Sequence, residues 1–161
     1  MYIKLKIQIK INGEIKFNSF ETEDIINDYL NNKKYREEFK NWRDEINKKY
    51  DIKNMDEDID YEKSEKIFNE LNFPGLITVD MKNYTFPILL RKVLVHMKRN
   101  EIKYIKSTFM DYFSEGDCEL YNIGTFNVDD GKTNIEIYIH LYDFKPVKSY
   151  YKLNYNEKYD N

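Results

Sequence analysis

Residues 2–11 constrain the fold of this chain more than any other segment. Isoleucine or leucine occupies every odd position from Ile3 to Ile11, and a polar or tyrosine side chain occupies every even position. Successive side chains of a β-strand point to opposite faces of a sheet, so this alternation predicts a strand with one apolar and one polar face. We expect the apolar face to be buried and the polar face to contact water.

A β-hairpin is predicted at Asn12-Gly13. A two-residue turn would place Ile9 opposite Lys16, which mixes the apolar and polar faces. A loop of three residues, with Gly13 in the left-handed conformation at a bulge, instead pairs Ile9 with Ile15. We therefore predict the three-residue loop. The same loop gives two further matched pairs, Ile7 with Phe17 and Lys10 with Glu14.

The middle of the chain is predicted to be largely helical. Thr22 can cap a short helix that extends to Leu30. Apolar side chains then recur every three or four positions from Tyr35 to Tyr50, which predicts an amphipathic helix of about four turns. A third short helix is expected to end before Pro74-Gly75.

Residues 87–113 are predicted to form the longest and most central helix, after a short strand or extended connection from Leu76 to Val79. Apolar side chains in this region fall on one helical stripe, which only Glu101 interrupts. The stripe consists of Leu90, Val93, Leu94, Met97, Tyr104, Ile105, Phe109 and Tyr112.

The end of the chain returns to strand-like alternation. Odd positions from Ile135 to Leu141 are aliphatic, and the turn residues Asp129-Asp130-Gly131 precede them, which predicts a second hairpin. We therefore expect one α+β domain over residues 1–161, in which an antiparallel sheet built from the N-terminal and C-terminal hairpins is packed by three or four helices from residues 22–113. Residues 146–161 are polar and rich in tyrosine, and we expect them to form either an edge strand or a partly mobile tail.

Composition narrows the class of protein. The chain contains no alanine, so its core must be built from bulky side chains. Cys118 is the only cysteine, and we expect a cytoplasmic protein with neither an intramolecular disulfide nor a membrane span. Because no glycine-rich phosphate loop, nucleophile elbow or zinc-protease motif occurs, we expect no cofactor, no metal and no catalytic residue.

Acidic residues are concentrated in one segment of the middle of the chain. They are Asp56, Glu57, Asp58, Asp60 and Glu62. The spacing begins like a calcium-binding EF-hand loop, but Tyr61 replaces the required glycine and Ile67 replaces the final glutamate. We interpret the segment as a partner-binding acidic surface whose carboxylates imitate the phosphates of a nucleic acid, or else as a solvated loop.

Basic residues suggest an alternative function. On the predicted 87–113 helix they would form a stripe of Lys92, Arg99, Lys103 and Lys106, within about 60° of arc. The polar face of the first strand would add Lys4, Lys6 and Lys10. Tyrosines that could stack on bases follow in the tail at Tyr150, Tyr151, Tyr155 and Tyr159. These groups favour binding to RNA or single-stranded DNA, although a solvated helix face and A/T-rich codon usage also account for them.

Two weaker patterns concern catalysis. Asp80-Met81-Lys82 follows an apolar run and resembles half of the (D/E)xK motif of restriction-type nucleases, which implies a metal-dependent nuclease as a third hypothesis. The second upstream carboxylate of that family has no counterpart here. His96 and His140, the only histidines, are expected to be surface or hydrogen-bonded structural residues.

The leading hypothesis is a small, acidic, non-enzymatic interaction protein. It would inhibit a nucleic-acid-handling protein or effector complex by occupying a positively charged groove of that partner. In size and composition the chain resembles phage-encoded inhibitors of host defence, including anti-CRISPR proteins. The oligomeric state does not follow from the sequence.

Overall fold

The computed structural model describes residues 2–52, 61–81, 88–108, 118–120, 124–126 and 134–145. Its strands are β1 (Tyr2–Ile11), β2 (Glu14–Asn18), β3 (Ile77–Asp80), β4 (Glu101–Thr108), β5 (Cys118–Leu120), β6 (Gly124–Phe126) and β7 (Asn134–Lys145). Its helices are a π-helical segment (Ile25–Leu30), α1 (Lys34–Lys49), α2 (Tyr61–Glu70) and α3 (Ile88–Leu94).

The main sheet is antiparallel and joins the two ends of the chain. The strands lie in the order β2, β1, β7, β4, and β3 pairs with β1 as well. The central pair places Ile7 opposite Ile139 and Lys6 opposite His140. β5 and β6 form a separate two-stranded sheet. The predicted α+β class and antiparallel sheet are therefore confirmed.

The turn between β1 and β2 has two residues, so the predicted three-residue loop is wrong. Asn12 and Gly13 have φ angles of 52° and 80°, and positive φ at both positions is typical of a type I′ turn. A regular two-residue turn would pair Ile9 with Lys16. A bulge in β2 at Lys16 avoids this pair and places Ile9 opposite Phe17. The observed pairs are Ile11 with Glu14, Lys10 with Ile15, Ile9 with Phe17 and Gln8 with Asn18.

The apolar face of the sheet forms the largest core cluster. It consists of the aliphatic positions of β1 and β7 together with Val79 of β3, and α3 covers it with Leu90 and Leu94. Met97, just after α3, is buried in the same cluster. The alternation in the sequence correctly predicted which side chains of β1 and β7 share this face.

The central part of the polar face is also buried, so the expectation that this face contacts water is wrong there, whereas Tyr2 and Tyr104, farther out on the same face, are exposed. Lys6 is 1% exposed, and Gln8 and His140 are each 0% exposed. The π-helical segment and α1 cover this face, since the rings of Tyr29 and Phe39 pack against His140. The sheet therefore lies between two layers, with α3 on the apolar side.

The prediction of one helix over residues 87–113 is wrong after Leu94. α3 ends at Leu94, Asn100 adopts a φ of 61°, and residues 101–108 form strand β4 along β7. β-branched and aromatic residues are frequent in β4 and favour strands, while the edge of β7 provides backbone partners. Phe109 and Tyr112 lie outside the described residues.

The other predicted helices are confirmed with changed ends. α1 and α2 match the amphipathic patterns, and α2 ends before Pro74. The first helix is a π-helical segment, and Asp24 caps it in place of Thr22, because an Asp24 carboxylate oxygen accepts a hydrogen bond from the backbone N–H of Asn27 at 3.0 Å. No helix in the described part of the chain is long and apolar enough to cross a membrane.

Candidate interaction surface

The predicted acidic surface is only partly within the described residues. Glu62 is exposed in the first turn of α2. Asp56, Glu57, Asp58 and Asp60 lie outside the described residues. So do Tyr150, Tyr151, Tyr155 and Tyr159, and residues 129–131, where a turn is predicted.

The predicted basic stripe does not exist, because its members lie on different elements. Lys92 is exposed on α3, Arg99 lies in the turn before β4, and Lys103 and Lys106 point to opposite faces of β4. Two of these charges are already paired. Arg99 Nε donates to Asp143 Oδ1 at 2.6 Å, and Lys103 Nζ lies 3.6 Å from a carboxylate oxygen of Glu101.

The lysines of β1 do not form a basic surface either. Lys6 is buried, where its ammonium group pairs with the Glu21 carboxylate and lies over the Tyr142 ring. Lys4 Nζ donates to the carbonyl oxygens of Phe68 and Leu71, 2.6 and 2.8 Å away at the end of α2. Burial lowers the pKa of Lys4. Lys10, the third of these lysines, is half-buried.

The positions that suggested metal chemistry are not brought together in the described structure. Asp80 is half-buried at the end of β3, and Lys82 lies outside the described residues. His96 is exposed, whereas His140 is buried beneath Tyr29. Among the described residues, no three His, Cys, Asp or Glu side chains lie close enough to hold a metal ion. The nuclease hypothesis stays a prediction.

A second acidic surface, which sequence reasoning missed, lies between β2 and α1. We call residues 20–30 the acidic segment. Its four carboxylates are Glu21, Glu23, Asp24 and Asp28, and all four residues are exposed. Ile26 and Leu30, four positions apart, are 52% and 41% exposed. The available signal was the absence of lysine and arginine from residues 17–32.

The backbone of the acidic segment is fixed to the sheet. Gln8 Nε2 donates to the carbonyl oxygen of Glu23 at 2.9 Å, and Asn18 Nδ2 donates to that of Thr22 at 3.0 Å. Tyr29, at 0% exposure, anchors the end of the segment in an aromatic cluster that includes Phe20 and Tyr138. The segment therefore has a defined position before any partner binds.

Three of the four carboxylates of the acidic segment, those of Glu21, Asp24 and Asp28, are also held in place. Asp24 accepts hydrogen bonds from the backbone N–H and side-chain amide of Asn27, and these bonds lower the pKa of Asp24. The hydroxyl group of Thr22 donates to Asp28 Oδ2 at 2.7 Å. Glu21 is oriented by buried Lys6. A pre-organised surface binds with a smaller entropy cost than a mobile one.

A buried polar cluster supports this surface from below. His140 contacts the Tyr29 hydroxyl group through Nδ1, and its Nε2 lies 2.7 Å from Asn100 Oδ1. Burial, together with the nearby cations Lys6 and Arg36, lowers the pKa of His140 to about 3. Both ring nitrogens are thus engaged by protein groups, and the imidazole is neutral at physiological pH.

Comparison with protein-family models and with curated proteins gave no match for this chain. We therefore infer its function from the chemistry of the acidic segment and from the elements that hold it.

Proposed function

We propose that this chain is a non-enzymatic interaction protein that binds and inhibits a nucleic-acid-handling protein. The acidic segment occupies a positively charged groove of that partner, as expected for an anti-defence protein of the anti-CRISPR type. The observation that carries this proposal is a stretch without a basic residue that displays Glu23, Asp24 and Asp28, with Asp24 and Asp28 held by hydrogen bonds, while the fourth carboxylate, Glu21, pairs with buried Lys6.

Electrostatics favour this type of partner. Like charges repel a nucleic acid from the acidic segment, whereas a basic groove is attracted to it and the association rate rises. The groove of such a partner normally binds the phosphates of a nucleic acid. Carboxylates at neighbouring positions of the acidic segment can take the places of several of these phosphates. The acidic residues between positions 56 and 62 contribute further negative charge, and the net charge of the chain is −3.

The exposed apolar pair favours a protein partner over a small ion. Ile26 and Leu30 are four positions apart on the π-helical segment, close in sequence to Asp24 and Asp28, and both are exposed. Protein interfaces typically combine an apolar centre with a polar or charged rim. We therefore expect Ile26 and Leu30 to form the centre of the contact and the acids to form its rim.

The decisive experiment is an affinity pull-down with the full chain from lysate of the native or host cell, with and without nuclease treatment. Mass spectrometry and nucleic-acid recovery identify what is bound. A nuclease-resistant protein with a basic groove supports the proposal. Recovery of nucleic acid without such a protein contradicts it.

Charge-neutral variants then locate the surface. Glu23 is exposed, and its hydrogen bond to Gln8 uses the backbone carbonyl, so Glu23→Gln removes a charge with little effect on the fold. We expect Glu23→Gln to weaken partner binding, and the loss should shrink as salt rises because exposed charges are screened. Glu38→Gln, on the exposed side of α1, is the matched control. A triple variant of Asp56, Asp58 and Asp60 tests the other acidic surface separately.

A second candidate function is the binding of single-stranded nucleic acid along β4. Tyr104 is 48% exposed and stacks on Tyr138 with a centroid distance of 4.8 Å, and exposed Lys106 lies on the same face. An aromatic ring beside a lysine can stack on a base and contact a phosphate. Loss of oligonucleotide binding in Tyr104→Ala, with a steep dependence on salt, would favour this function.

A further inference from the structure

An apolar cavity of about 120 Å³ lies on the opposite side of the sheet from the acidic segment. Its lining combines residues from β1, β7, the end of β3 and the region around the end of α3. They are Ile3, Met81, Leu94, Val95, Met97, Leu141 and Phe144. All seven side chains are hydrocarbon or thioether groups, so the described lining offers no side-chain hydrogen-bond donor and no acceptor stronger than a thioether sulfur.

The size of the cavity limits what it can hold. Protein interiors are normally close-packed, with few voids larger than a water molecule. An apolar cavity of roughly 150 Å³ stays dry and accepts benzene or xenon, whereas drug-sized ligands require about 300 Å³ or more. The observed volume is somewhat smaller than that of the benzene-binding cavity and far below that of drug-sized sites, which limits an occupant to one ring or a short branched hydrocarbon and excludes a nucleotide.

We propose that this cavity is a binding site for an uncharged apolar molecule about the size of a benzene ring. The cavity is partly open to solvent, and Val95 in its wall is 57% exposed, which gives the molecule a path of entry. The two methionines are flexible and polarisable, so they can adjust to an aromatic ring. The ligand would bury its surface against Leu94 and Leu141 of the apolar face.

Benzene is the probe, and methionine methyl groups are the reporters. The chain has five methionines, so the methyl signals of Met81 and Met97 can be assigned by single Met→Leu substitutions. Titration of the full chain with benzene is expected to move both signals with one common half-saturation concentration. If neither signal moves up to the solubility limit of benzene, the site does not exist.

A charged analogue tests whether the site is apolar. Benzoate carries the same ring with a carboxylate, and burial of a charge without a partner is strongly unfavourable. We expect benzoate to shift the Met81 and Met97 signals at least tenfold more weakly than benzene at equal concentration. Equal responses to the two molecules would show surface association and would overturn the proposal.

A rim substitution tests the location. Val95→Phe adds a ring to the cavity wall at an exposed position, so the sheet and α3 should keep their packing. We expect at least a tenfold loss of benzene affinity in Val95→Phe and an affinity within about twofold of the original in Val95→Ala. Unchanged affinity in Val95→Phe would place benzene elsewhere. Because the cavity is remote from the acidic segment, this result is independent of the proposed partner.

Discussion

Tyr29 hydrogen-bonds to Nδ1 of His140, and this contact joins the π-helical segment to the central strand β7. The other ring nitrogen, Nε2, lies 2.7 Å from the side-chain oxygen of Asn100. Because an amide oxygen can only accept, Nε2 donates and Nδ1 accepts from the Tyr29 hydroxyl group. The fixed acidic segment thus depends on a neutral imidazole beneath it.

Stability should fall in mild acid because of His140. Its pKa is about 3 in the fold and 6.5 in the unfolded chain, so the unfolded state binds one more proton between these values. The contribution of neutral His140 is complete above about pH 6.5 and is lost as the pH falls towards 3. We expect a slope of up to about 1.4 kcal/mol per pH unit in urea unfolding.

His140→Gln should flatten that pH dependence. A glutamine does not titrate, so only the slope from other groups remains. His96→Gln is the matched control, because it makes the same substitution at a histidine whose side chain is exposed. A slope that persists in His140→Gln would show that another group causes the acid sensitivity.

Tyr29→Phe should loosen the acidic segment without changing its charge. The substitution removes the donor to His140 Nδ1 and leaves a buried acceptor unsatisfied, at a cost of about 1–3 kcal/mol. We also expect faster amide hydrogen exchange at Asn27 and Asp28 and weaker binding of the partner. Tyr35→Phe is the control. It also removes one tyrosine hydroxyl group, but it keeps the aromatic ring that stacks on Tyr29.

Asp143→Asn should destabilise the fold strongly. Asp143 is 2% exposed, and it bridges Arg99 at 2.6 Å and Arg43 of α1 at 3.5 Å. Removal of the carboxylate charge leaves the buried Arg43 guanidinium without compensation, which costs about 3–5 kcal/mol in comparable pairs. Chemical denaturation measures the change. Glu65→Gln, which breaks the more exposed pair with Lys145, should have a much smaller effect.

Gly75→Ala should destabilise more than Gly13→Ala. Both glycines have positive φ, 84° and 80°, which costs an alanine about 1–2 kcal/mol. At Gly75 a Cβ atom would also overlap the backbone oxygen of Ser19, whereas the space at Gly13 is open. Thermal unfolding of the two variants gives the comparison. Equal melting temperatures would show that the Ser19 contact relaxes freely.

The sequence predicted the strands and helices that can be recognised from the spacing of apolar side chains within one segment. Period-two alternation identified β1 and β7, and the spacing of apolar side chains identified α1 and α2. Asn12-Gly13 located the hairpin, but the matching of faces led to a three-residue loop, because the bulge at Lys16 was not visible in the sequence. The bulge adds one residue to β2 and so brings Ile9 opposite Phe17 after a two-residue turn.

Tertiary pairing decided the conformation of residues 101–108. Their apolar positions fit a helical stripe with those of α3, so the pattern alone could not separate one long helix from a helix and a strand. The long edge of β7 provided a ladder of backbone partners for β4, and this outweighed the helical pattern.

The sequence by itself determined which side chains of β1 and β7 share a face, because side-chain direction in a strand has a fixed period of two. Only the tertiary structure decided that the central part of the polar face is buried and that the acidic segment is held above it. Burial of Lys6, Gln8 and His140 requires partners that lie far apart in the chain, such as Glu21, Glu23 and Asn100. A buried polar group is stable only when such partners satisfy it, and their positions follow from packing.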